Sequence, residues 1–129
     1  MASTHPLVRA EVLALIAIGG FVGANARYVV ALVFPGLTGT FIVNVTGSFL
    51  LGFIVYEALY TGFVSEKGRV VLTTGLLSSY TTYSTFAFET TDVSPLLGLV
   101  NVGASYTFGF AGVLAGRWLA YRLRGGQDE

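Results

Sequence analysis

The sequence has no cysteine, a single histidine and few charged residues. The lack of cysteine excludes disulfides, thiolate metal sites and a cysteine nucleophile. Charged residues make up 11% of the chain, whereas soluble domains carry roughly 25%. The formal net charge is zero, which indicates no nucleic-acid partner. This composition favours a protein of the lipid bilayer, and the length predicts a single membrane domain, residues 1–129.

Four apolar segments are long enough to cross a bilayer. A hydrocarbon core about 30 Å thick requires roughly 20 apolar helical residues. The segments that meet this length lie at about 12–34, 40–60, 70–88 and 96–121. Before the last of them, Ser94 and Pro95 predict a helix N-cap and a first helical residue. We therefore expect an all-α membrane protein with four transmembrane helices joined by short loops.

The basic residues predict the orientation of these helices. With four spans, all of them except Arg27 fall on one side of the membrane: Arg9, Lys67, Arg69, Arg117, Arg122 and Arg124. The two loops on the other side, 35–39 and 89–95, contain none. Because cytoplasmic loops carry the excess of Lys and Arg, we expect a multi-pass protein of the cell membrane with both termini in the cytoplasm.

A run of eight hydroxyl-bearing residues at 78–85, Ser-Ser-Tyr-Thr-Thr-Tyr-Ser-Thr, interrupts the third segment. We call it the hydroxyl run. Ser and Thr side chains in a membrane helix can bond to their own backbone and merely bend the helix. Eight such residues in succession favour a break in the third helix. Irregular backbone at this depth of the membrane is tolerated only where it is buried in protein or lines a watery cavity. Small neutral groups of this kind can replace the water around an ion without trapping it.

Other polar residues within the spans are candidate site residues, because burying an uncompensated polar group in lipid is costly. Arg27 either reaches the outer interface or draws an anion into a vestibule. Asn44 can donate two hydrogen bonds, either to an anion or to another helix. Glu89 is an interfacial charge or a gate at a pore mouth. On the last span, Asn101 and Ser105 share a face through their four-residue spacing.

Three stretches of the sequence resemble signatures of the Fluc/CrcB fluoride channels. They are Gly-Phe-Val-Gly-Ala-Asn-Ala-Arg-Tyr at 20–28, Gly-Thr-Phe-Ile-Val-Asn-Val-Thr-Gly-Ser-Phe at 39–49, and Thr-Thr-Tyr-Ser-Thr-Phe at 81–86. The resemblance covers about residues 12–121. It implies an antiparallel dimer of four-helix subunits, with a break in the third helix, two narrow fluoride pores and a central sodium ion.

The resemblance also implies roles for individual residues along the fluoride pore. Asn44 would be the pore-lining amide. Phe86 and Tyr83 would be the two aromatic rings whose electropositive edges face fluoride, although the family usually has Phe at the position of Tyr83. Ser105 would belong to a polar track on the fourth helix, and Thr82 would line the pore beside these residues.

The same resemblance implies a structural sodium ion that is not transported. The backbone carbonyls of Ser78 and Thr81 would bind it. The family usually has a glycine pair where this chain has Ser78 and Ser79, and serine presents its carbonyl in fewer backbone conformations than glycine does.

The uneven distribution of Lys and Arg across the membrane indicates which partner subunit this chain has in the dimer. A homodimer of antiparallel subunits must insert in both directions, which requires nearly balanced basic residues across the membrane. This chain has a strong bias, so we expect it to pair with an oppositely oriented homologue. A homodimer is the other interpretation.

The resemblance implies a fluoride-specific ion channel that exports fluoride passively and lowers cytoplasmic fluoride, with no enzyme activity. One alternative is a non-conducting partner subunit of a heterodimeric channel, for which Tyr83 and the serine pair would be the sign. Another is a small multidrug or cation exporter, which needs a carboxylate within a helix to exchange protons for substrate. Glu11 and Glu57 are expected near span ends, at the interface, and this argues against an exporter.

Overall fold

The computed structural model describes residues 5–126, which form helices joined by short connections. In chain order these are α1 (Pro6–Val33), α2 (Leu37–Tyr60), α3 (Glu66–Val70), a π-helix (Val71–Leu77), α4 (Ser78–Tyr80), α5 (Ser84–Thr91) and α6 (Pro95–Gly125). Three of them, α1, α2 and α6, are long and apolar enough to cross a membrane. No residue between 5 and 126 lies in a strand. The predicted all-α, multi-pass membrane protein is confirmed to this extent.

The chain between α2 and α6 is a series of short helical elements. It changes from α-helix to π-helix and back, and it is not helical at residues 81–83, between α4 and α5. The hydroxyl run therefore has irregular backbone over three residues, and the rest of it is helical.

Several hydroxyls of the hydroxyl run bond to the backbone of their own segment. The Ser78 hydroxyl donates to the Thr74 carbonyl, and the Thr81 hydroxyl donates to the Leu77 carbonyl at 2.9 Å. Such bonds to a carbonyl four residues earlier can form within a helix and often bend it. After the interruption, the Thr82 hydroxyl accepts a backbone N–H of α5 at 3.2 Å and so caps that helix.

Close backbone contacts at glycines hold two pairs of helices together. A Cβ atom at Gly52 of α2 would lie 2.6 Å from the Val113 carbonyl oxygen of α6. A Cβ atom at Gly19 of α1 would lie 2.8 Å from the Val71 carbonyl oxygen in the π-helix. Only glycine allows backbones to approach this closely in a membrane protein.

Helix α6 begins where the sequence predicts, with Ser94 as its N-cap. Ser94 Oγ accepts the Leu97 N–H at 3.3 Å, and Pro95 is the first helical residue. The helix continues past the predicted apolar end at residue 121 and includes Arg122 and Arg124 in its last turn. Helical hydrogen bonding thus extends beyond the lipid-compatible part of the sequence.

Glu57 lies near the end of α2, as expected, but its side chain faces the protein and is 4% exposed. Its Oε1 accepts the Phe63 N–H at 2.5 Å, the Val64 N–H at 3.3 Å and the Thr61 hydroxyl at 2.8 Å. The turn after α2 folds back over Glu57, so the carboxylate at this end of the helix is enclosed by protein. The carboxylate fixes the turn that leads to α3.

The basic residues other than Arg27 gather at one end of the bundle, which we call the basic end. It consists of the first turns of α1 and α3 and the last turns of α2 and α6. Lys67 Nζ donates to Glu11 Oε1 at 2.8 Å and joins α3 to α1. The Arg124 guanidinium lies over the Tyr60 ring at 6.0 Å and joins α6 to α2.

Candidate functional site

Asn44 connects α2 to the interruption between α4 and α5. Its Nδ2 donates to the Thr82 carbonyl at 2.9 Å, and its Oδ1 accepts the Thr82 N–H at 2.9 Å. Both amide atoms are therefore paired with the backbone of a single residue, and this fixes residues 81–83 against α2. Because a side-chain amide has two N–H groups, one donor of Asn44 remains for another acceptor. The two interpretations of Asn44, a helix-to-helix bond and an anion ligand, are thus compatible.

One cavity beside Asn44 has no charged side chain in its lining, and we call it the neutral cavity. Its volume is about 270 Å³, and its lining is Asn44, Ser48, Tyr83, Phe86, Ser105, Tyr106, Gly109, Phe110 and Val113. Four of the five predicted pore residues meet there, and Thr82 lines neighbouring cavities instead. The lining offers an amide, hydroxyls and aromatic rings, which are groups that can face an anion without carrying charge.

Aromatic rings form one wall of the neutral cavity. The Tyr83 and Phe86 ring centroids are 5.9 Å apart, with an interplanar angle of 46°. Phe86 also meets Tyr106 edge to face, at 6.3 Å and 80°. Phe86 is buried, whereas Tyr83 is 73% exposed. Because the edge of an aromatic ring is electropositive, rings held at such angles can direct their edges toward an anion.

Tyr106 is a cavity residue that the sequence patterns do not single out. Its ring centroid lies 6.3 Å from that of Phe110, one helical turn further along α6. The four-residue spacing of these two aromatics is visible in the sequence. It could have indicated an aromatic stripe beside the predicted polar position at Ser105.

A chain of hydrogen bonds links Ser105 of α6 to the backbone carbonyl of Phe86 in α5. The Ser105 hydroxyl donates to Asn101 Oδ1 at 3.5 Å, and Asn101 Nδ2 donates to the Thr90 hydroxyl at 2.9 Å. The Thr90 hydroxyl in turn donates to the Phe86 carbonyl at 2.7 Å. The predicted shared face of Asn101 and Ser105 is confirmed, and Thr90 is a further member that the sequence does not indicate. The chain ties α6 to α5 close to the neutral cavity.

The second cavity has a charged lining, and we call it the charged cavity. It has a volume of about 400 Å³, and Arg27, Glu89, Thr82 and Thr85 are among its lining residues. Arg27 Nη1 donates to the Thr81 carbonyl at 3.4 Å, so the guanidinium points toward the interruption. Glu89 Oε2 is buried and has no hydrogen-bond partner among the described residues. The two residues predicted for a vestibule or gate thus share one cavity.

The carbonyls of Ser78 and Thr81 fit the ligand chemistry of sodium, since hard cations prefer oxygen ligands. Thr81 has extended backbone at the end of α4. The Thr82 N–H, which a regular helix would direct to the Ser78 carbonyl, is paired with Asn44 instead. Both residues line a third cavity, of about 410 Å³. Arg27 already directs positive charge toward the Thr81 carbonyl.

The fold and the cavities define a multi-pass helical membrane protein with a neutral polar cavity beside a charged one. Residues 14–117 match the family model described as CrcB-like protein, Camphor Resistance (CrcB). The chain belongs to this family, and the resemblance noted from the three sequence stretches is confirmed.

Curated relatives match nearly the whole chain. A protein of Haloarcula marismortui named fluoride-specific ion channel FluC 1 is 52% identical, with 98% of each chain covered. A FluC 1 of Natronomonas pharaonis is 48% identical over 85% of this chain and 94% of its own. A FluC 2 of Halobacterium salinarum is 46% identical over 92% and 93%.

Proposed function

We propose that this chain forms a fluoride-specific ion channel that lets fluoride leave the cytoplasm passively. The relatives that share about half of its residues over almost its full length carry this name. The observation that carries the proposal is the neutral cavity, in which the Asn44 amide, the Ser105 hydroxyl and the Tyr83 and Phe86 rings converge. A channel of this kind catalyses no reaction, so the protein is not an enzyme.

The lining of the neutral cavity suits a small anion that holds water tightly. The free N–H of Asn44, the hydroxyls and the ring edges supply partial positive charge that offsets the loss of hydration. None of the lining residues is ionised, so the anion is held without being trapped. No carboxylate lines this cavity to exchange protons. Passive conduction follows, and the exporter interpretation loses its support.

The interruption at 81–83 is proposed as the break in a third transmembrane span made of α3, the π-helix, α4 and α5. Two such subunits would pack as an antiparallel dimer with their interruptions facing each other. A twofold arrangement repeats each contact, so the Ser78 and Thr81 carbonyls of both subunits would supply four oxygens to a central sodium ion. When bound, this ion supplies positive charge between the two subunits and is not transported.

The partner in this dimer is proposed to be an oppositely oriented homologue. The concentration of Lys and Arg at the basic end would hold both termini of this chain in the cytoplasm. The names FluC 1 and FluC 2 among the relatives are consistent with paired genes. Tags at both termini, probed from each side of the membrane, test the orientation, and a mixed orientation would contradict pairing with a homologue.

A second candidate function, a non-conducting partner subunit, is favoured by one observation. The Tyr83 ring is 73% exposed and carries a hydroxyl at the position of a pore ring. If that hydroxyl obstructs the route, this subunit would complete the assembly while the partner's residues conduct.

Fluoride efflux from liposomes separates these candidates. The chain is reconstituted alone and then together with a homologue of opposite charge bias. We expect fluoride-selective efflux in the co-reconstituted vesicles, and its loss in the Asn44→Asp variant of this chain. Vesicles that retain fluoride with both subunits present would overturn the channel proposal. Full efflux when only the homologue's pore residues are intact would identify this chain as the non-conducting partner.

A further inference from the structure

We propose that the basic end binds the phosphate group of an anionic phospholipid, in a groove at the last turn of α6. The groove has a volume of about 410 Å³ and is lined by Tyr121, Arg122, Arg124 and Gly125. Small-molecule sites typically occupy about 300–1,000 Å³. It is separate from the neutral and charged cavities, and the ion pathway does not use it.

Three arginines at this end of α6 are held on aromatic rings. The distances from guanidinium carbon to ring centroid are 5.2 Å for Arg117 over Tyr56, 4.9 Å for Arg122 over Trp118 and 6.0 Å for Arg124 over Tyr60. Stacking on a ring face orients a guanidinium and leaves its in-plane N–H groups available to donate. Those planar donors match the oxygens of a phosphate, which arginine binds in bidentate geometry. Of the three arginines, Arg122 and Arg124 line the groove, whereas Arg117 also bonds to the Tyr60 side chain.

The carboxylates of the basic end that the structure describes are engaged elsewhere or lie on α3. Within residues 5–126 the ion pair is that of Lys67 with Glu11. Glu57 is bound to the turn after α2, and Glu66 lies in the first turn of α3. The three stacked arginines therefore present positive charge that no described carboxylate contacts.

An apolar stripe connects the groove to the middle of the membrane span. Leu114, Trp118 and Tyr121 follow one face of α6 by their spacing, and they are 61%, 57% and 60% exposed. Trp and Tyr side chains are typical of the headgroup level of a bilayer. A ligand in this groove would thus have its phosphate at the arginines and its acyl chains along the stripe. This continuity favours a lipid over a free phosphate ion.

Trp118 reports directly on this site, because it is the one tryptophan in the sequence. The full chain with its partner homologue is placed in vesicles of phosphatidylcholine and phosphatidylglycerol, in which either lipid carries brominated acyl chains that quench tryptophan. A partner variant without tryptophan keeps the signal specific. Because one arginine near an anionic headgroup contributes about fivefold to association, we expect phosphatidylglycerol to associate at Trp118 at least about fivefold more strongly than phosphatidylcholine.

The preference for phosphatidylglycerol at Trp118 should disappear in the double variant Arg122→Gln/Arg124→Gln. It should persist in the control Arg9→Gln, which removes an arginine from the same end of the bundle. In the unmutated protein it should also shrink with added sodium chloride, which screens exposed charges. Equal quenching by both lipids in the unmutated protein would overturn the proposal, whether or not the double variant folds. Loss of the preference on adding inorganic phosphate at matched ionic strength would identify a free-anion site and overturn the lipid assignment. Fluoride flux is not measured, so failure here leaves the channel proposal unaffected.

Discussion

The neutral cavity and the charged cavity both border the same interruption and have different chemistry. Tyr83 lines the first and its neighbour Thr82 lines the second. Arg and Glu side chains occur only in the charged cavity of the two, which Arg27 and Glu89 line. A full charge attracts or repels an ion at a distance, whereas neutral dipoles can replace its water and still release it. The comparison suggests that charge governs entry and that neutral groups govern passage.

The largest effect is expected for Asn44→Asp, which places a charge beside the neutral cavity. The carboxylate would lose the donor to the Thr82 carbonyl and would repel both that oxygen and fluoride. Loss of a buried hydrogen bond to a polar partner costs about 1–3 kcal/mol, so fluoride efflux should fall at least about fivefold. Asn25→Asp is the matched control, because Asn25 bonds only to the Phe21 carbonyl of its own helix in the described contacts. An equal fall in efflux in Asn44→Asp and Asn25→Asp would show that a charge beside the neutral cavity has no special effect.

Phe86→Ile should have the next largest effect, because it keeps an apolar side chain and removes the ring edge. Aromatic interactions contribute about 0.5–1.5 kcal/mol beyond burial, so efflux should fall about three- to tenfold. Phe88→Ile changes a ring two residues away that is 68% exposed. In efflux assays the Phe88→Ile control should conduct near the unmutated rate. Normal efflux in Phe86→Ile would show that the ring at this position takes no part in conduction.

Charge changes in the charged cavity should alter entry more mildly and in opposite directions. Arg27→Gln should lower efflux about threefold at low ionic strength, and Glu89→Gln should raise it by a similar factor, since charged clefts change ion encounter. Both differences should narrow as salt is added, because salt screens the long-range attraction and repulsion of ions that approach the cavity. Efflux measured over a range of background salt provides the test. Shifts in the same direction for both variants would show that charge does not govern entry.

Thr90→Val should have the smallest effect on conduction. It removes the hydroxyl between the Phe86 carbonyl and Asn101, which is itself buried. Leaving the Asn101 amide without its acceptor should lower stability by about 1–3 kcal/mol, seen as a lower thermal midpoint, while efflux falls less than about threefold. Thr91→Val is the control, since the Thr91 hydroxyl is exposed and bonds within α5. A thermal midpoint unchanged by Thr90→Val would argue against a supporting role for this chain of bonds.

Sequence alone predicts those features that depend on neighbouring residues. The apolar segments, the Ser94 cap and the common face of Asn101 and Ser105 all follow from local spacing. The pairing of Asn44 with Thr82 joins residues 38 positions apart, and no local pattern indicates which backbone group a buried amide will find. The burial of Glu57 likewise depends on the turn that folds over it. Gathering Asn44, Tyr83, Phe86 and Ser105 in one cavity requires α2, α5 and α6 to be packed.

The π-helix at Val71–Leu77 sets the angular phase of α4, which follows it directly and leads into the interruption. Each α-helical residue advances the chain by about 100°, so one residue more or fewer in a turn rotates all later side chains by that amount. The wide turn therefore helps to set the direction from which the chain reaches Thr82, whose backbone N–H and carbonyl pair with Asn44. Shortening this segment by one residue would leave composition and hydropathy nearly unchanged and yet bring the wrong backbone groups to the amide.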